Sequence, residues 1–247
     1  IVQKLVICLS LAILLISFLW SRFTYVRLKA RYELEDYQRN LTNAMAHDLK
    51  SPLMILSGMA ENLKENVHTE KREYYAEEIL KNIADMNRMI EQSLGFSKLS
   101  QTERLGKKTE VDMRAQTDAL LRKYKELAEA QGQHISVTGE GQMRGNEVML
   151  RQMIDNLLQN AILHGEEDGQ IEINIGNGTY QIQNTYTGTL TTETARKLLN
   201  PYVKEENRKR TGGHGLGLSI VHEIVKLHGG KLHLKVEEEM FCVEIKI

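Results

Sequence analysis

The sequence predicts three successive parts: a transmembrane helix, a helical hairpin that forms a four-helix bundle when two chains associate, and an α/β two-layer sandwich. Three observations carry this reading. An uncharged apolar run fills Leu5 to Trp20, a proline-free seam of apolar residues follows it, and the second half interleaves β-like runs with two helices. The 247 residues have room for all three parts. With 32 Lys and Arg against 33 Asp and Glu there is no basic excess for phosphate-backbone binding, so nucleic acid is not expected as a partner. Cys8 and Cys242 have no second cysteine at metal or redox spacing, so neither a disulfide framework nor a zinc site follows.

The run LVICLSLAILLISFLW is slightly shorter than the roughly 20 residues that cross a bilayer core, but Lys4 and Arg22 can snorkel. Beyond it come Arg22, Arg27, Lys29 and Arg31 before the first acid, Glu33, which puts the rest of the chain in the cytoplasm. A signal peptide or a buried core helix are the alternatives; no small-residue cleavage site follows the run, and its polar flanks are abrupt. The chain starts at Ile1 rather than Met, so an upstream helix and an extracellular sensor loop can lie outside it. Residues 1–21 are thus expected to be the transmembrane helix and 22–40 a signalling coiled-coil helix.

From Phe23 onward Ala30, Leu34, Tyr37, Leu41 and Ala44 recur at alternating steps of four and three, a seam that pairs with a second copy. An ordinary amphipathic helix packed on its own domain is the alternative. His47 falls one residue before the next seam position, at the flank of the bundle, with Asp48 beside it. Pro52 removes a backbone donor and should bend the helix. After the turn-like ENVHTEKRE, Tyr75, Ile79, Ile83, Met86 and Ile90 mark the second arm, giving a hairpin over 41–100 and a four-helix bundle in the dimer.

A linker at 101–107 leads to a second domain, 108–247. There HISVTG, QIEINI, TYQIQN, KLHLKV and FCVEIKI read as strands, and Asp112 to Gln131 and Glu147 to Leu163 as helices. No strand-following GxGxxG appears, which argues against a dinucleotide fold. Asn156 and Asn160, at i and i+4, share a helix face from which amide oxygens can complete the coordination of Mg²⁺. In TGGHGLGLSIV, Gly213, Gly215 and Gly217 precede an apolar helix whose N-terminus can hold a phosphate.

The segment AHDLKSPL at Ala46 to Leu53 resembles the dimerisation and histidine-phosphotransfer domain of bacterial sensor histidine kinases. Its signature is a histidine, an acid, a leucine, a basic residue, a small hydroxyl residue and a proline. The asparagine and glycine segments behind it resemble the catalytic ATP-binding domain of the same family, a GHKL (Bergerat-type) sandwich. The resemblance covers about residues 40 to 247. It implies that His47 accepts the γ-phosphoryl group of ATP, that Asp48 is the base, and that the phosphoryl group passes to an aspartate on a response-regulator receiver domain. Ser51, one turn from His47, would orient a water in the reverse, phosphatase direction.

On the same resemblance Asn156 and Asn160 match the asparagine box and bind ATP and Mg²⁺. Gly213, Gly215, Leu216 and Gly217 match the second glycine box, and Asn200 to Lys204 the lid segment usually centred on phenylalanine, from which Lys204 reaches a phosphate. The family further implies a homodimer in the bacterial cell membrane with its catalytic part in the cytoplasm. Two departures stand out. The first glycine box, normally Asp-x-Gly-x-Gly, reads Asn184-Thr185-Tyr186-Thr187-Gly188, and Leu163-His164 replaces a basic-aromatic pair. The Asn184 oxygen can still accept from adenine's amine, but a neutral bond in place of a charge-assisted one loses roughly 1 kcal/mol, so weaker ATP binding is expected. These departures motivate one rival, a phosphatase-biased sensor with weak autokinase activity. A rival of another class is a non-kinase GHKL ATPase or membrane scaffold.

Overall fold

The computed structural model describes residues 2–67, 69–100, 102, 105–203 and 215–247. Along the first helix it describes the side chains of 3, 13–29, 32, 39, 42–43 and 45 onward, and Ser100 is described in backbone only. The chain forms two compact units, residues 1–50 and 51–247.

Helix α1, Val2–Lys64, supplies the first unit and opens the second. Of the expected transmembrane helix at 1–21, the side chains described are those of Gln3 and of 13–21, and Ile13 through Trp20 are exposed. Among the described residues no helix is long and apolar enough to cross a membrane, so the expected span is not reproduced there. The uncharged run Leu5–Trp20 is itself sixteen residues, short of the roughly 20 a bilayer core requires. The seam side chains of Ala30, Leu34, Tyr37, Leu41 and Ala44 lie outside the described residues.

In the second unit α1 runs on through Pro52 to Lys64 without interruption. A single missing donor costs one backbone bond and does not end the helix. Asn66, at φ 54°, takes the left-handed turn conformation that asparagine tolerates. A 3₁₀ turn at Thr69–Lys71 then leads into α2, Arg72–Ser100. The hairpin expected over this stretch is thereby formed.

The α/β part runs β1 (Thr109–Asp112), α3 (Met113–Ala130), β2 (His134–Gly139), β3 (Gln142–Gly145), α4 (Glu147–His164), β4 (Gln170–Gly176) and β5 (Thr179–Thr185). It finishes with α5 (Thr192–Ala195), α6 (Gly217–Leu227), β6 (Lys231–Glu237) and β7 (Met240–Lys246). Five strands form one sheet in the order β2-β4-β5-β7-β6, parallel between β2 and β4 and antiparallel elsewhere. The small β1–β3 pair stands apart.

Alternation decides which face is covered. Ile171, Ile173 and Ile175 on β4, Tyr180 and Ile182 on β5, and Phe241, Val243 and Ile245 on β7 are all buried. They meet Leu150, Met153, Ile154, Leu157, Leu158 and Ile162 of α4 and Leu218, Ile220, Val221, Ile224 and Val225 of α6, the helical layer of a two-layer sandwich. Helix starts are capped as the sequence allows: Asp112 accepts from the Ala115 amide at 2.9 Å, and Asn146 from the Met149 amide at 3.1 Å.

Candidate functional site

In the first unit His47 stands on α1 with its side chain 83% exposed and Nδ1 3.5 Å from Asp48 Oδ1. The exposure leaves the imidazole open to a reactant. The neighbouring carboxylate is close enough to favour the tautomer protonated on Nδ1, which leaves Nε2 as the nucleophilic nitrogen. Ser51, the first residue of the second unit, is exposed as well.

In the second unit α4 and α6 lie side by side on the sheet, and a histidine fastens their ends. His228 Nδ1 donates to the Ile224 carbonyl at 2.7 Å, and its Nε2 accepts from the Asn146 amide at 3.1 Å. Burial lowers the His228 pKa, the Ile224 bond opposes this in part, and nearby Lys108 adds to the lowering. A neutral ring is the form that satisfies both partners.

Asn156 is buried between these helices. Its Nδ2 donates to the Gln152 carbonyl at 2.8 Å, which commits the nitrogen and leaves Oδ1 as the atom on offer. That oxygen faces the start of α6: a Cβ built on Gly217 would lie 3.6 Å from it. Leu216, the residue before α6, provides no side-chain cap, so the first-turn amides of α6 keep their capacity for an anion. Gly215, at φ 69°, makes the turn; a Cβ there would press on the Tyr202 backbone at 2.9–3.0 Å. Asn160 is half-buried one turn beyond Asn156 on the same face. Lys204 and Gly213 lie outside the described residues.

Asn184 occupies the third inward position of β5 after Tyr180 and Ile182, so it points to the helical layer from the end of a central strand. Its Nδ2 donates to the Thr185 carbonyl at 3.1 Å, which again leaves the amide oxygen to accept. Tyr186 fills the place of the missing glycine. It is 2% exposed, tilts against Phe241 with ring centroids 6.2 Å apart, and its hydroxyl accepts from the Leu190 amide at 2.9 Å. Gly188 is required beneath it, because a Cβ there would collide with the Tyr186 hydroxyl. The Asn184–Gly188 loop is therefore braced by an aromatic plug.

Two features of the site escaped the sequence reading. One is Tyr186 as a plug rather than a mere loss of glycine, which no local pattern marks because Phe241 is remote in sequence. The other is a contact from the hairpin: the hydroxyls of Ser93 on α2 and Tyr202, at the centre of the expected lid segment, are hydrogen-bonded at 3.0 Å. Among the described residues no cluster of His, Cys, Asp and Glu has the arrangement of a metal site. Oxygen donors here are amides, a set that suits Mg²⁺ when phosphate supplies the remaining oxygens.

Residues 37–102 match the His Kinase A (phospho-acceptor) domain, and residues 145–247 match the histidine kinase-, DNA gyrase B-, and HSP90-like ATPase domain. The chain is 27% identical over 220 residues to the probable sensor protein PcoS of Escherichia coli, covering 84% of this chain and 46% of that protein. It is 25% identical over 221 residues to the heme sensor protein HssS of Staphylococcus haemolyticus, covering 88% and 48%. The chain thus spans about half the length of the curated relatives it matches. Among solved structures, the histidine kinase ThkA in complex with the response regulator protein TrrA has a TM-score of 0.64 at 20% identity, covering 84% of this chain and 61% of that one. The Acinetobacter baumannii histidine kinase AdeS gives 0.61 at 18% identity, covering 81% and 96%; at these identities the likeness is one of fold.

Proposed function

Since the chain belongs to the two-component sensor histidine kinases, we propose that it phosphorylates His47 from ATP and passes the phosphoryl group to an aspartate of a response-regulator receiver domain. One observation carries the reading. The same chain holds an exposed His47 beside Asp48 and, in the ATPase-like part, an Asn156 oxygen turned to the uncapped first turn of α6. The first is an acceptor and the second a phosphate cradle.

In this mechanism the first-turn amides of α6 hold phosphate oxygens, and the Asn184 oxygen accepts from the base's exocyclic amine. Asn156 and Asn160 would hold Mg²⁺, which neutralises charge on the transferring oxygens. Asp48 keeps the proton on Nδ1 and stabilises the positive charge that grows as Nε2 attacks in line. Ser51 serves the reverse direction by orienting a water. The phosphatase-biased reading is favoured by Asn184 and by the Tyr186 plug, which stiffen and neutralise the base-binding end.

The chain acts as a homodimer through its hairpin and is attached to the bacterial membrane by its N-terminal run, with the catalytic part in the cytoplasm. Supporting this are the exposed apolar residues Ile13 through Trp20 followed by Arg22, Arg27 and Lys29. Incubation with γ-labelled ATP and Mg²⁺ tests the core of the proposal. Acid-labile label is expected on the wild type and absent from His47→Gln, and a wild type that takes up no label refutes autokinase activity.

A further inference from the structure

Helix α2 carries a buried stripe distinct from the seam expected of a hairpin. Met89, Ser93, Phe96 and Leu99 are all nearly inaccessible, and α2 packs on α6, while Gln92 Nε2 reaches Gln159 Oε1 of α4 at 3.5 Å. Ser93 is the polar member of an otherwise apolar stripe. Its hydroxyl is hydrogen-bonded to that of Tyr202 at 3.0 Å, a bond that a phenylalanine at position 202 would not make.

Tyr202 is tied at its other end as well. It sits at φ 62°, a left-handed conformation uncommon for a bulky residue, and its amide donates to the Gly215 carbonyl at 2.9 Å. Two residues past Gly215, Gly217 opens α6 against the Asn156 oxygen. Contacts therefore run without a break from Ser93 on the hairpin to the atoms expected to meet phosphate.

We infer that Tyr202 is a positioning residue that couples the docking of α2 to nucleotide binding, with the Ser93–Tyr202 hydrogen bond as the link. The inference rests on the ATP-binding reading of Asn156 and Gly217. Nucleotide that orders the Gly215–Gly217 turn shifts the Tyr202 backbone, and with it the hydroxyl that holds α2. By linkage, α2 docked through Ser93 changes the affinity for nucleotide by the same factor. The path is one of direct contacts, and its energetic content is what experiment must measure.

Amide hydrogen exchange on the full chain, with and without Mg²⁺ and a non-hydrolysable ATP analogue, tests this in wild type, Tyr202→Phe and Ser93→Ala. Both substitutions remove one hydroxyl and keep the fold's apolar packing. In the wild type, nucleotide is expected to slow exchange at 215–220 and to change it at 89–99 at least about threefold. In both variants the protection at 215–220 should remain while the response at 89–99 disappears. The coupling is overturned if the 89–99 response persists in both variants, or if it is absent from the wild type while 215–220 is protected. Lack of protection at 215–220 in the wild type instead removes the ATP-binding reading and the coupling with it.

Discussion

Asn184 shows why a family aspartate cannot simply be restored. Its amide nitrogen donates to the Thr185 carbonyl from a position 3% exposed. Asn184→Asp removes that donor and sets a carboxylate against a carbonyl oxygen. Stability should fall by about 1–3 kcal/mol in urea unfolding, even though a charged acceptor suits the adenine amine better. His228 gives the pH counterpart. Its folded pKa is lowered, chiefly by burial, so the native state binds the proton less well than the unfolded chain does. The stability it contributes is complete above the unfolded value of about 6.5 and is lost as pH falls through the lowered folded value. Protonation puts a hydrogen on Nε2, where the Asn146 amide already points one. The urea midpoint should therefore fall between about pH 7.5 and 5, and fall less in His228→Gln. Residues of this kind were half legible. Spacing puts Asn156 and Asn160 on one helix face, because a helix places i and i+4 together, while the role expected of them and of the glycine turn came from the family resemblance. Tyr186 and Tyr202 do not, because their roles depend on Phe241 and Ser93, which only the folded chain brings near.

At the scale of elements, legibility followed length and alternation. β2, β4, β5, β6 and β7 have six or seven residues each with clear inward faces, and all five were expected. β1 and β3, four residues each, the latter with Gln142 and Gly145 at its ends, carry too short a pattern to be seen. The second stripe of α2 was hidden because Ser93 breaks its apolar periodicity, whereas Tyr75, Ile79, Ile83, Met86 and Ile90 form an unbroken one. The β6–β7 hairpin holds an element-scale conflict. Glu238 and Glu239 form its two-residue turn at φ 49° and 61°, both left-handed, where asparagine and glycine are the residues that fit. Replacing the pair by Asn-Gly should raise stability by about 1–2 kcal/mol, read as a higher urea midpoint at unchanged slope. An unchanged midpoint would show that the two left-handed residues cost the fold nothing.

For the whole molecule the decisive surface is the hairpin in the second unit. Leu53, Met54 and Ile55 on α1 and Leu80, Ile83 and Leu94 on α2 are between 42% and 68% exposed in the single chain. A monomeric protein rarely leaves such a concentration of large apolar side chains to water, and two hairpins packed as a four-helix bundle would bury them. The stripe Met89, Ser93, Phe96 and Leu99 is already covered within the chain, so in the proposed dimer α2 would divide its circumference between the sandwich and a second copy. Changing one face should spare the other. Ile83→Lys is expected to turn a dimer into a monomer in sedimentation experiments and to abolish the concentration dependence of Tm. The sandwich should keep its own unfolding transition, because Ile83 contributes nothing to its core. Phe96→Ala should do the reverse: the dimer persists, and about 3–5 kcal/mol is lost where α2 meets α6, unless the sandwich undocks first and limits the loss to the docking energy. If Ile83→Lys leaves the sedimentation of the full chain unchanged, dimerisation through this face is excluded.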